Sequence, residues 1–173
     1  MTIPFSDLAK RSVGQMFGTL DRVLTKGAAA AKAKGVDEGV YLNWRMATDM
    51  HPMKTQVQFA TEVVRQLFTL AGTRAPEFIN DEVSFDDLHR RLQRARTLLD
   101  TLSDEALDRD PDEQITVPIG DNEMTMTRVT YFQNFILPNL YFHTTATYLI
   151  LRHLGVDLGK GDYLGPLRPR DTE

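Results

Sequence analysis

Of the four histidines in this chain, one stands where an imidazole must do more than meet water. His143 lies in the nearly uncharged stretch from Tyr131 to His153, among Phe142, Leu140, Tyr148 and Leu149. A histidine in apolar surroundings stays neutral unless it is paired, and a neutral ring with one free nitrogen can be a general base, a hydrogen-bond acceptor or a metal ligand. The competing reading is a core histidine satisfied by a backbone or hydroxyl partner, the ordinary fate of buried polar groups. At about 100° per residue, Val129, Phe132, Ile136, Leu140, Ile150 and Leu154 project on the same side as His143, so the ring is expected on the core face. Pro138, within the same helix, removes one intrahelical hydrogen bond and leaves the carbonyl of Asn134 without its usual donor. The resulting kink either opens a pocket near His143 or curves the helix around its neighbours.

His51 is the second candidate, in Asp49-Met-His51-Pro52 at the mouth of a helix. As a ligand it would join His143; as a bland residue it is a solvated loop histidine or a neighbour of the helix cap. Asp49 and Arg45 are expected to form a local ion pair in this segment. His153 falls in the last turn of its helix, where a cationic ring is favoured by the helix dipole. Ten residues from His143, it points about 80° away, so the two rings do not share a site. His89, beside Arg90 and Arg91, reads as part of a solvated face. The run Gly155-Val-Asp-Leu-Gly159-Lys160-Gly161 is one residue short of a phosphate loop and has no Ser or Thr after the lysine.

Four long helices must position these groups. Residues 6–34 carry Leu8, Val13, Met16, Phe17, Leu20, Val23, Leu24 and Ala28 near helical spacing, with Ser6 as N-cap and Gly35 as stop. A connection over 36–51 containing Tyr41, Trp44 and Met46 is expected to pack back on the helices. The second helix begins near Pro52 and buries Met53, Val57, Ala60, Val64, Leu67 and Ala71, closing at Gly72. The third follows Ser84-Phe-Asp-Asp87, a capping-box-like start, and buries Leu88, Leu92, Ala95, Leu98 and Leu99. The period then changes to two in Ile115-Thr-Val117 and Met124-Thr-Met126, a hairpin around Gly120. The fourth helix runs from Arg128 to Leu154 and stops at Gly155 with Val156 placed for the apolar contact. The expected fold class is all-α: one domain over 1–173, a four-helix bundle with a short β-hairpin inserted between helices 3 and 4.

Composition narrows the partners. With no cysteine among 173 residues, disulfides, thiolate zinc sites, iron–sulfur clusters and cysteine nucleophiles are excluded, which suits a reducing cytoplasm. The N-terminus shows no basic region followed by an apolar run, so no signal peptide is expected. Val129 to Leu151 is long enough for a membrane span, but Gln133, Asn134, Asn139, His143 and its threonines favour a buried helix instead. A net charge of −4 with scattered lysines and arginines argues against a nucleic-acid partner. Pro138, Tyr141, Thr145, Tyr148 and Arg152 form the opposite face of the fourth helix, expected either as a homodimer interface or as a surface covered by the 36–51 connection.

Several segments together resemble an uncharacterised bacterial family, domain of unknown function nineteen ninety-three. They are Leu42-Asn-Trp-Arg45-Met-Ala-Thr-Asp49-Met-His-Pro52-Met, Gln56-Val-Gln58, Phe85-Asp-Asp-Leu88, Ile115-Thr-Val-Pro118-Ile-Gly120, Leu137-Pro-Asn139-Leu-Tyr-Phe-His143 and Leu151-Arg-His153-Leu-Gly-Val-Asp-Leu-Gly159-Lys160. That family is similar to the DinB/YfiT-like superfamily of four-helix bundles. The resemblance implies a divalent metal held by three histidines, one from helix 2 and two from an H-x-x-x-H pair on helix 4, with thiol-transfer or isomerase chemistry in some members. It places His143 at one helix-4 ligand position. Four residues on stands Thr147, and helix 2 proper has no histidine, only His51 just before it. Two histidines and Asp49 would supply three ligands only by converging. In a simple up-down-up-down bundle helices 2 and 4 start at the same end, leaving His143 about 22 Å along the axis from His51. Two expectations follow. One is a small-molecule or divalent-metal pocket around His143, as ligand or catalytic base, with His51 as second metal ligand. The other is a non-catalytic homodimer without metal.

Overall fold

A computed structural model describes residues 3–166; Met1, Thr2 and residues 167–173, the ends of the expected domain, lie outside the described residues. The chain is mostly helical with one small antiparallel hairpin. In order it forms α1 (Phe5–Lys34), α2 (Glu38–Leu42), α3 (Met53–Leu70), α4 (Phe85–Thr101), α5 (Asp104–Leu107), β1 (Gln114–Ile119), β2 (Asn122–Thr127), α6 (Arg128–Tyr131), a π-helical turn (Phe132–Ile136), α7 (Leu137–His153) and α8 (Lys160–Leu164). The long helices end where local chemistry ends them. Gly35 adopts φ 62° after α1, and Gly155 adopts φ 77° after α7, with the amide of Val156 bonding the Leu151 carbonyl at 3.1 Å. Ser84 accepts the Asp87 amide at 3.1 Å, while the Asp87 carboxylate accepts from Val83 N–H and Ser84 Oγ and is held down to about 2 by those bonds. Ser6 does not cap α1 as expected. Pro4 holds that position, and Ser6 donates from its N–H and its hydroxyl to Asp108, just beyond α5.

The order in which the helices pack differs from a simple alternation. Lys10 reaches the Leu102 carbonyl, Arg96 the Phe17 carbonyl and His89 the Asp21 carboxylate, so α1 and α4 run antiparallel. Phe5 meets Phe132 edge-on and Gly27 lies against Leu151, so α1 and α7 run parallel. Arg128 bonds the last carbonyl of α3 while His143 meets Gln56 near its start, so α3 and α7 run antiparallel. The residue 71–84 connection therefore carries the chain back along the molecule and makes α3 and α4 parallel. Gly27 is needed where three helices meet: a Cβ there would stand 2.9 Å from Phe85 and 3.0 Å from Leu151.

Two buried arginines fasten the connections. Arg91, 2% exposed, donates to Thr61, Asn80, Glu62 and Glu82, and Glu82 also accepts from Gln58. These bonds tie the 71–84 connection to α3 and α4. Arg128, 1% exposed, donates to the carbonyls of Leu70, Ala106, Leu107 and Asp110 at 2.9–3.2 Å. It gathers orphan carbonyls at the ends of α3 and α5, where the helix dipoles favour a cation. Burial nonetheless pushes its guanidinium down from the ordinary range. The hairpin leads directly into this point, with Thr116 and Thr125 hydroxyls paired across it at 2.9 Å.

The fourth predicted helix is three segments. Pro138 has no N–H for the Asn134 carbonyl and its ring crowds it. The backbone widens just before it, with the amide of Leu137 bonding the Phe132 carbonyl five residues back. The Asn139 side-chain amide donates to the Phe135 carbonyl at 2.7 Å. Of the expected stripe Phe132, Ile136, Leu140 and Ile150 are buried, and Thr144, Ala146, Thr147 and Leu151 join them. His143 was expected on the core face unless Pro138 rotated the two halves of the helix; it is partly buried, at the edge of that stripe. Among the described residues no helix is long and apolar enough to cross a membrane.

Candidate functional site

His143 projects from α7 toward the first turns of α3. Its Nδ1 lies 2.7 Å from Gln56 Oε1, and Gln56 Nε2 donates to the His51 carbonyl at 2.9 Å. Those two bonds fix the ring's tautomer. The Gln56 amide nitrogen is committed to a carbonyl, so its oxygen faces the imidazole and accepts; Nδ1 therefore carries the proton. Nε2 is left with a free lone pair and has no protein partner among the described residues. Burial pushes the ring's pKa down to about 4, with the nearby His51 adding a smaller push in the same direction. At pH 7 the ring is a neutral acceptor. A conjugate acid near 4 makes it a weak proton acceptor, so hydrogen bonding or ligation suits it better than general-base work.

Three aromatic groups frame the imidazole. Phe59 lies 5.0 Å from the His143 ring and 5.0 Å from the His51 ring, and Phe142 meets His143 edge-on at 5.2 Å. The two histidine rings are thus no further apart than twice the Phe59 distance. The antiparallel run of α3 and α7 overturns the expected separation of about 22 Å that simple alternation implied. His51, Phe59 and Phe142 are all exposed. The site is an open patch at the surface, where the sequence suggested an interior pocket.

The other nominated residues go elsewhere. Asp49 does not complete a ligand set: among the described residues no three of His, Cys, Asp or Glu lie close enough to share a metal ion. Arg45 reaches the Thr48 carbonyl at 3.4 Å. Thr147, four residues after His143, turns its hydroxyl onto the His143 carbonyl at 2.9 Å. The α3 side chain that reaches His143 is the amide of Gln56. This donor set does not fit a three-histidine metal centre. His153 packs on Trp44 at 5.7 Å, and His89 pairs with Asp21 at 3.1 Å. On the opposite face of α7, Thr145 bonds the Tyr163 hydroxyl and Tyr148 meets its ring, so α8 covers part of the surface expected for a homodimer or for the 36–51 connection. Tyr141 stays exposed there.

Gln56 entered the sequence reading only through the family resemblance, with no role given to it, and Phe59 was not singled out. Gln56 did leave a signal: it follows Met53 by three and precedes Ala60 by four, a polar residue in the core register of α3 that must find a partner. Phe59 lies off that register, and nothing in the spacing marks it.

The fold matches a solved structure. The chain superposes on the crystal structure of a DinB family member protein from Shewanella denitrificans with a TM-score of 0.88 and 32% sequence identity, covering 95% of this chain and 94% of that one. More narrowly, the family model Domain of unknown function (DUF1993) matches residues 6–164, and the chain belongs to that family. No curated protein matches it.

Proposed function

We propose that this DinB-like four-helix bundle, a cytoplasmic protein on the strength of its cysteine-free composition, binds a small molecule at the open patch between α3 and α7. The ligand carries a hydrogen-bond donor, which Nε2 of His143 accepts, and an apolar part that lies against Phe59 and Phe142. One observation carries the reading: the Gln56 amide, anchored on the His51 carbonyl, holds His143 as the Nδ1–H tautomer and leaves Nε2 free. Metal-binding histidines are oriented by the same kind of second partner. A divalent ion would find two imidazoles here, His51 and His143, and would take its remaining ligands from water or from the bound molecule.

The experiment is nitrogen-15 NMR of the histidine rings. The wild-type His143 ring shows the Nδ1–H pattern at pH 7, and Gln56→Leu lets it exchange between tautomers. Zinc added to the protein shifts both His51 and His143 if the ion is the ligand, and neither if the site takes an organic molecule. A His143 ring that already exchanges freely in the wild type removes the basis of the proposal.

A second reading is a non-catalytic homodimer, favoured by the exposed Tyr141, Phe142 and Leu149 of α7. Sedimentation of the same samples decides it: a dimer that Phe142→Ser dissociates supports this reading, and a monomer refutes it.

A further inference from the structure

The largest concentration of unmet hydrogen-bonding capacity lies away from His143. A groove of about 930 Å³ runs between the second half of α3, the connection after it, Pro118 of the hairpin and the start of the widened helix; neither His143 nor His51 lines it. Its floor carries Tyr131 and Phe135, stacked with ring centroids 5.4 Å apart and planes within 14°. With Pro118 they make up the apolar part of the lining.

The polar lining has donors to spare. Arg65 bonds Glu62 at 3.0 Å and approaches Glu77 at 3.6 Å, yet its Nε–H is enclosed with no acceptor. The hold of Glu77 is weak, since its carboxylate is 86% exposed. The Tyr131 hydroxyl has no partner among the described residues, and burial pushes its pKa up to about 12, so it is a donor at any ordinary pH. Arg74 lines the mouth, exposed, and pairs with no carboxylate among the described residues. Of the two acids of the lining, Glu62 is engaged by both Arg65 and Arg91, while Glu77 is only loosely paired with Arg65. Gln66 Oε1 is likewise enclosed without a partner.

We infer that this groove binds a small monocarboxylate with a flat apolar body. The carboxylate takes the free donors of Arg74 and the Tyr131 hydroxyl, and the body lies against Phe135 and Pro118. One unpaired guanidinium plus neutral donors suits a single negative charge; a phosphate dianion would face Glu62 and Glu77 without enough cations to offset them. Tyr131 and Phe135, four residues apart, project side by side, and the π-helical turn that contains Phe135 is of a kind that recurs at functional sites.

The test is backbone NMR of the full chain titrated with phenylacetate, and separately with phenylacetamide, to about 10 mM, where a weak millimolar site saturates. Phenylacetate is expected to shift the amides of Gly72, Thr73 and Ala75 saturably, and the amide analogue to bind about tenfold more weakly. Arg74→Ala, an exposed change that leaves the fold intact, weakens phenylacetate by a similar factor, and Tyr131→Phe weakens it less. Equal affinity for acid and amide overturns the inference. So does the absence of saturable shifts, unchanged affinity in Arg74→Ala, or shifts centred on His143.

Discussion

The chain treats its buried arginines and its histidine patch in opposite ways. Around Arg128 and Arg91 the guanidinium donors meet carbonyls, carboxylates or hydroxyls, inside a region sealed from water. Around His143 one nitrogen is fixed by Gln56 and the other is left open at the surface. A fully paired polar cluster locks connections together; a half-paired one keeps a group available at a cost in stability. The difference separates what holds this fold from what it offers to another molecule.

The contrast is broken most severely at Arg128. Replacing it by Met leaves four carbonyls without donors, and unfolding in denaturant is expected to show a loss of about 4 kcal/mol. A loss under about 1 kcal/mol would mean that water replaces those bonds freely. Arg91→Met comes next, with about 3 kcal/mol lost because the buried Glu82 carboxylate is deprived of its cation. Hydrogen exchange should then quicken across residues 71–84 before it quickens in α3; uniform quickening would show that Arg91 does not anchor that connection. The smallest effect is the pH dependence at His143. Its ring titrates near 4 when folded and near 6.5 when unfolded, so between those values the unfolded chain binds more protons. Its contribution to stability is complete above pH 6.5 and declines as pH falls toward 4. His143→Gln should flatten that slope relative to the wild type in denaturation midpoints measured across the window. Parallel slopes would show that the ring is not desolvated.

How far the sequence could be read follows from the range of the interactions. Gly35, Ser84 and Gly155 mark helix ends by local backbone chemistry, and all three act as expected. The hairpin around Gly120 is equally local, pairing Ile119 with Asn122. Short α2, α5 and α8 were missed because a single turn of helix has too little periodicity to register. The antiparallel run of α3 and α7 was also missed, since it depends on contacts between residues far apart, such as Arg128 with Leu70. Simple alternation would put His51 and His143 at opposite ends, and only a different connection order brings them together. The π-helical turn was partly legible: Pro138 announced a disturbance, but not that the backbone would widen rather than bend. His143 itself stood out as a histidine in an apolar run. Its partner did not, because nothing in sequence says which core-register amide lies opposite it.

The widened turn at Phe132–Ile136 works as a phase adjuster between two stretches of one rod. Upstream, α6 is pinned by Arg128; downstream, α7 is pinned against α1 at Gly27. The turn takes up the disturbance of Pro138 locally, so both pinned ends keep their places.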